Sequence, residues 1–144
     1  MKKINNILLV DDSNATNFFN KTIIEKSGYA EKVTIVKNGK EALAYITTNG
    51  SPELIFLDIN MPVMTGWEFL EEYQKLELQY KQSVIILMLG ATLSKEDKEK
   101  AESILFVKGF EEKMLTKECL YQIIASNFGN SDSGISSEDT KFAI

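Results

Sequence analysis

Five short apolar runs, each starting more than 20 residues after the one before, constrain this chain more than any other feature. They are Ile7 to Val10 (ILLV), Val33 to Val36 (VTIV), Leu54 to Leu57 (LIFL), Val84 to Leu89 (VIILML) and a weaker run from Val107 to about Glu111. Hairpins close in a few residues, whereas parallel strands need a crossover of a dozen or more, usually helical. Ile7 to Val10, Leu54 to Leu57 and Val84 to Leu89 lack polar alternation, so they suit strands covered on both faces. Residues at helical spacing fill each interval. Five strands alternating with five helices define an α/β fold with a parallel sheet. At 144 residues the chain is long enough for one domain with a proper core and too short for two ordinary ones.

Local signals place the helices. Ser13 or Asn14 caps a first helix in which Ala15, Phe18, Phe19, Thr22 and Ile23 recur at helical spacing, and Gly28 stands where a C-cap belongs. Asn38 and Glu41 form a capping-box-like pair for a second helix running to about Thr48, and Thr65 with Glu68 does the same for a third. Phe69, Leu70, Tyr73 and Leu76 face inward from that third helix. Ser94 with Asp97 opens a strongly charged fourth helix, and Thr116 caps a fifth through Leu120, Ile123 and Ile124, with Phe128 as its last candidate apolar position. Beyond Asn127 the composition shifts to Ser, Gly, Asp and Glu, which divides the chain into a domain at 1–126 and a flexible polar tail at 127–144.

Composition removes several function classes. All 16 basic residues are Lys and the net charge is -5, which argues against phosphate-backbone binding and forked guanine readout, so no nucleic-acid partner is expected. The longest apolar run, Val84 to Leu89, is far below the roughly 18 residues of a spanning helix, and the N-terminus lacks a signal-peptide pattern. No membrane partner and a cytoplasmic location are expected. The chain has no His, which removes zinc triads and Ser-His or Cys-His nucleophile pairs. The single Cys119 cannot form an internal disulfide and reads as a small core residue.

Chemistry concentrates at the carboxyl ends of the runs. Asp11 and Asp12 end the first, Asp58 ends the third and Lys113 follows the fifth. In open parallel sheets the site lies at these ends, beside the point where strand order reverses. Three carboxylates in one crevice call for a cation, and hard oxygen donors in a partly open site suit Mg²⁺. With Lys113 as a point charge for a phosphoryl oxygen, the Asp58 carboxylate becomes a candidate nucleophile that forms an acyl phosphate. Pro62 holds Met61 extended, and Gly66 permits a turn before the third helix.

In combination, LLVDD, LIFLDINMPVMTG and the late Lys113 resemble the receiver domain of two-component response regulators, over residues 5 to about 126. The resemblance implies a flavodoxin-like sheet of order 2-1-3-4-5. It also implies that Asp12 ligates Mg²⁺ directly, Asp11 helps hold it through water, Asn60 offers its backbone carbonyl and Asp58 accepts the phosphoryl group. Phe110, three residues before Lys113, matches the family's switch aromatic. The implied donor is a phosphohistidine on a sensor histidine kinase or histidine phosphotransfer protein, or a small acyl phosphate. An unknown downstream protein and a weak homodimer complete the implied partners.

Two positions depart from that pattern. Gly90 stands where the family usually has Thr or Ser, which removes a hydroxyl from the phosphoryl site, and Thr92 is two residues late. Lys113 is followed by Met114 where the family typically has a cis-Pro, so a trans peptide and a shifted loop are expected. Three readings follow: a stand-alone phosphoacceptor that is not an enzyme in the ordinary sense, a pseudo-receiver that binds without switching, or a haloacid-dehalogenase-type phosphatase. The last needs Asp-x-Asp, whereas Asp11 and Asp12 are adjacent.

Overall fold

In the computed structural model, which describes residues 3–61, 64–89, 94–112 and 114–129 and only the backbone of Leu89 and Glu112, the apolar runs form five strands. These are β1 (Ile4–Val10), β2 (Ala30–Val36), β3 (Leu54–Asp58), β4 (Val84–Leu89) and β5 (Val107–Glu112). Their order is β2-β1-β3-β4-β5 with every neighbouring pair parallel. This is the doubly wound, flavodoxin-like arrangement that the residues and their resemblance imply. The central β3 is buried along its whole length. The edge strand β2 starts three residues before its apolar run, because Glu31 and Lys32 are tolerated on an exposed edge. Strand β5 carries a bulge: Ile85 pairs with Val107 but Ile86 with Gly109.

The helices are α1 (Asn14–Ser27), α2 (Gly39–Asn49), α3 (Gly66–Gln74), α4 (Lys95–Glu102) and α5 (Lys117–Phe128), with an unforeseen single 3₁₀ turn at Leu78–Tyr80. Two cores flank the sheet. One joins Ile24 of α1 and Leu120, Ile123 and Ile124 of α5 to β-strand side chains. The other joins Ala42 and Ile46 of α2, Phe69, Leu70 and Tyr73 of α3, and Ala101 of α4. The caps hold as read. Ser13, Asn38, Thr65, Ser94 and Thr116 each accept a backbone N–H three residues on, and Gly28 ends α1 with φ of 74°. Glu41 reaches back to the Lys37 amide at 3.0 Å, so its pairing with Asn38 differs from a reciprocal box.

Helix α1 departs from its apolar pattern. The side chains it buries are Asn17, Asn20 and Ile24, while Phe18 is 74% exposed and Phe19 38%. Leu76 lies just past the end of α3 and is half-buried against the core. Pro62, Gly90, Thr92, Lys113 with its bond to Met114, and residues 130–144 of the expected tail lie outside the described residues. Helix α5 runs through Phe128, as its apolar spacing allows. Among the described residues no helix is long and apolar enough to cross a membrane.

Candidate functional site

Register alone brings two of the acids together. Strand β1 pairs with β3 so that Val10 lies beside Leu57, and the next residue on each strand is an aspartate: Asp11 and Asp58. Asp12 follows at once. An oxygen from each of Asp11, Asp12 and Asp58 lies within 4.8 Å of the others, with Asp11 and Asp58 buried and Asp12 exposed. The donors are all carboxylate oxygens, the set that a hard divalent cation such as Mg²⁺ takes in a partly open site. Like charges so close repel strongly where water is scarce, and a cation relieves that repulsion.

The two buried acids are each held by the loop that follows. Asp11 Oδ1 accepts the Ser13 amide at 2.8 Å, and Ser13 Oγ in turn accepts the Thr16 amide at 3.2 Å, so the turn after β1 leads directly into α1. Asp58 Oδ1 accepts the Asn60 amide at 3.1 Å. Gly66 donates its N–H to the Ile59 carbonyl at 2.9 Å. A Cβ on Gly66 would stand 2.7 Å from Ile59 Cα and 2.8 Å from the Asp58 carbonyl oxygen. Glycine is therefore required here for close approach of α3 to the Asp58 backbone, rather than for the turn expected from the sequence.

The other candidate residues are distributed around this centre. Phe110 pairs with Leu87 and is half-buried against the core on the α2–α4 face. Met114 is 49% exposed. Gly90 and Lys113 belong to the sequence-defined candidates but lie outside the described residues. Trp67 is half-buried against the same core as Phe110, with the Lys100 ammonium 4.7 Å from its ring centroid. Cys119 is half-buried; burial pushes its thiol up, and its Sγ accepts the Thr116 amide, which fits a packing residue.

Two contributors escaped sequence reading. Asn17 Nδ2 donates to the Asp11 carbonyl at 2.7 Å, and Asn20 Oδ1 accepts the Leu115 amide at 2.9 Å; both bonds are buried. The available signal was negative: two poor helix formers recurring three residues apart. A polar pair at that spacing reads as a solvated face until its partners are known.

Comparison with known proteins agrees with this architecture. The family model for the response regulator receiver domain matches residues 7–125. Two-component response regulator 24 of Arabidopsis thaliana is 32% identical over 120 residues, covering 81% of this chain and 79% of that protein. Hybrid signal transduction histidine kinase I of Dictyostelium discoideum is 28% identical over 123 residues; the match takes in 82% of this chain but 7% of the much longer relative. The crystal structure of a two-component response regulator from Cytophaga hutchinsonii superposes with a TM-score of 0.81 at 29% identity, covering 90% of this chain and 100% of that one. With five parallel strands in the order 2-1-3-4-5 and three aspartates gathered at their carboxyl edge, the chain belongs to the response regulator receiver domain family of two-component signalling.

Proposed function

We propose that this receiver accepts a phosphoryl group on Asp58 in a Mg²⁺-dependent reaction and passes the signal on through protein contacts. The observation that carries this reading is the convergence of Asp11, Asp12 and Asp58 oxygens within 4.8 Å at the end of a buried strand. Asp12 and Asp58, with the Asn60 carbonyl, would hold the cation directly, and Asp11 would hold it through water. When bound, Mg²⁺ supplies positive charge against the phosphoryl oxygens. An Asp58 carboxylate oxygen attacks phosphorus; the new O–P bond forms as the N–P bond of a phosphohistidine, or the O–P bond of an acyl phosphate, breaks with its electron pair leaving on the donor. Lys113 supplies a second positive charge to the transferred group. The Ser13 and Asn60 amides hold the Asp11 and Asp58 carboxylates in place through the reaction.

A sensor histidine kinase or histidine phosphotransfer protein is the natural donor. The exposed Phe18, on the helix that begins two residues after Asp12, offers an apolar contact beside the site for the donor's surface. Phe110 is the switch aromatic, and Gly90 in place of a hydroxyl residue mutes the response there. Incubation with Mg²⁺ and acetyl phosphate followed by intact-mass measurement tests the reading. Wild type gains one phosphoryl mass and Asp58→Ala gains none. A wild-type protein that binds Mg²⁺ yet acquires no adduct from acetyl phosphate or from a phosphohistidine donor is a pseudo-receiver, and this proposal fails.

A further inference from the structure

Buried side-chain hydrogen bonds gather at the two ends of the sheet among the described residues. At the amino end, Ser83 Oγ donates to the Pro52 carbonyl at 2.5 Å and the Ser83 amide donates to Tyr73 Oη at 3.3 Å. At the carboxyl end, two such bonds come from one helix. Asn17 holds the carbonyl of Asp11, and Asn20 holds the amide of Leu115, 95 residues further along the chain. Asn17 and Asn20 are 3% and 4% exposed, although Asn is a poor residue for a helix interior and carries no apolar surface to bury. Phe18, between them, faces out. An apolar residue at position 20 would suit a core position better on hydrophobic grounds alone. What Asn20 does that Leu cannot is accept the Leu115 N–H.

Leu115 is itself 1% exposed, so its amide needs a partner inside the protein. It precedes Thr116, the cap of α5, and follows Lys113 by two residues, in the turn from β5 to α5. One face of α1 thus ties the backbone of the acidic turn to the backbone of the turn that carries the lysine. We infer that Asn20 is a positioning residue for phosphoryl transfer: its amide oxygen fixes the Leu115 end of the β5–α5 turn relative to Asp11, whose carbonyl Asn17 holds, and it acts on the transfer through Lys113, two residues earlier in the chain. This rests on the phosphoacceptor reading and deepens it. The brace stands where the chain has Lys113–Met114 and no proline to stiffen that turn.

Phosphorylation by acetyl phosphate at saturating Mg²⁺, with Mg²⁺ affinity and thermal unfolding measured alongside, separates positioning from general destabilisation. Asn20→Leu and Asn20→Ala, which both lack the acceptor, slow phosphorylation about tenfold while Mg²⁺ affinity stays within about twofold. Asn20→Asp keeps the acceptor oxygen and retains the rate within about threefold. In a Lys113→Ala background, Asn20→Leu brings no further slowing, because the group it positions is gone. Wild-type rates in both folded acceptor-less variants, or the same tenfold loss with and without Lys113, would overturn the inference. If wild type itself takes no phosphoryl group, the function proposed above fails and this role falls with it. Failure confined to the Asn20 variants leaves that function standing.

Discussion

Helices α1 and α3 each follow a strand whose carboxyl end supplies the candidate site, yet they use their buried faces in opposite ways. Helix α3 buries Phe69, Leu70 and Tyr73, which recur at helical spacing and enter the core with α2 and α4. Helix α1 buries Asn17, Asn20 and Ile24 and leaves Phe18 in solvent. The first arrangement is what hydrophobic periodicity describes. In the second, two of the three buried positions hold backbone atoms at the sheet's carboxyl edge, so α1 serves the site as much as the core. One helix packs to make the fold, and its counterpart orders the loops around Asp11 and Leu115.

The contrast is sharpest in stability. Leu70→Ala removes a side chain 1% exposed in a well-filled core and is expected to destabilise by about 2–5 kcal/mol, read by urea unfolding. A loss under about 1 kcal/mol would mean that α3 is no more a packing element than α1. The next effect belongs to the junction of packing and chemistry. Gly66→Ala places a methyl against the backbone of Asp58 and Ile59, which cannot move aside as a flexible side chain could. It is expected to cost about 1–3 kcal/mol and, by displacing the Asp58 carboxylate, to lower the phosphorylation rate as well. Full stability with full activity would show that α3 can withdraw from Asp58 without consequence.

Much of this fold is legible in the chain because the strands are few, apolar and separated by crossovers, and because five helices announce their starts with Ser, Thr or Asn side chains. Asp11 and Asp58 were readable as one site because each ends an apolar run, and parallel neighbours in register put such ends side by side. What escaped depended on partners distant in sequence. Glu31 and Lys32 belong to β2 only because an edge strand tolerates exposed charge. Gly66 looked like a turn former, and its actual constraint is the backbone of another segment. Asn20 carries no signal in the apolar pattern of its helix, and its partner lies 95 residues away. Periodicity reports which face is apolar; it does not report a buried face recruited for hydrogen bonding.

The smallest stability effect is the most informative about α1. Phe18 is 74% exposed and belongs to neither core, so Phe18→Ser is expected to change unfolding free energy by no more than about 0.5 kcal/mol. If the exposed ring is a contact for a phosphohistidine donor, its loss acts on association and leaves the chemistry at Asp58 alone. The rate with acetyl phosphate, which needs no protein surface, should then stay at the wild-type value. The rate with a phosphorylated histidine phosphotransfer protein should fall about tenfold or more through weaker binding, as truncation of a central apolar contact does in other interfaces. Equal slowing with both donors would place Phe18 in the packing of the site and erase the distinction between the two helices. Unchanged rates with both would assign the outward face of α1 to some other partner. Only the split result makes α1 a helix with two working faces, an inner polar one that orders the site and an outer apolar one that meets the donor.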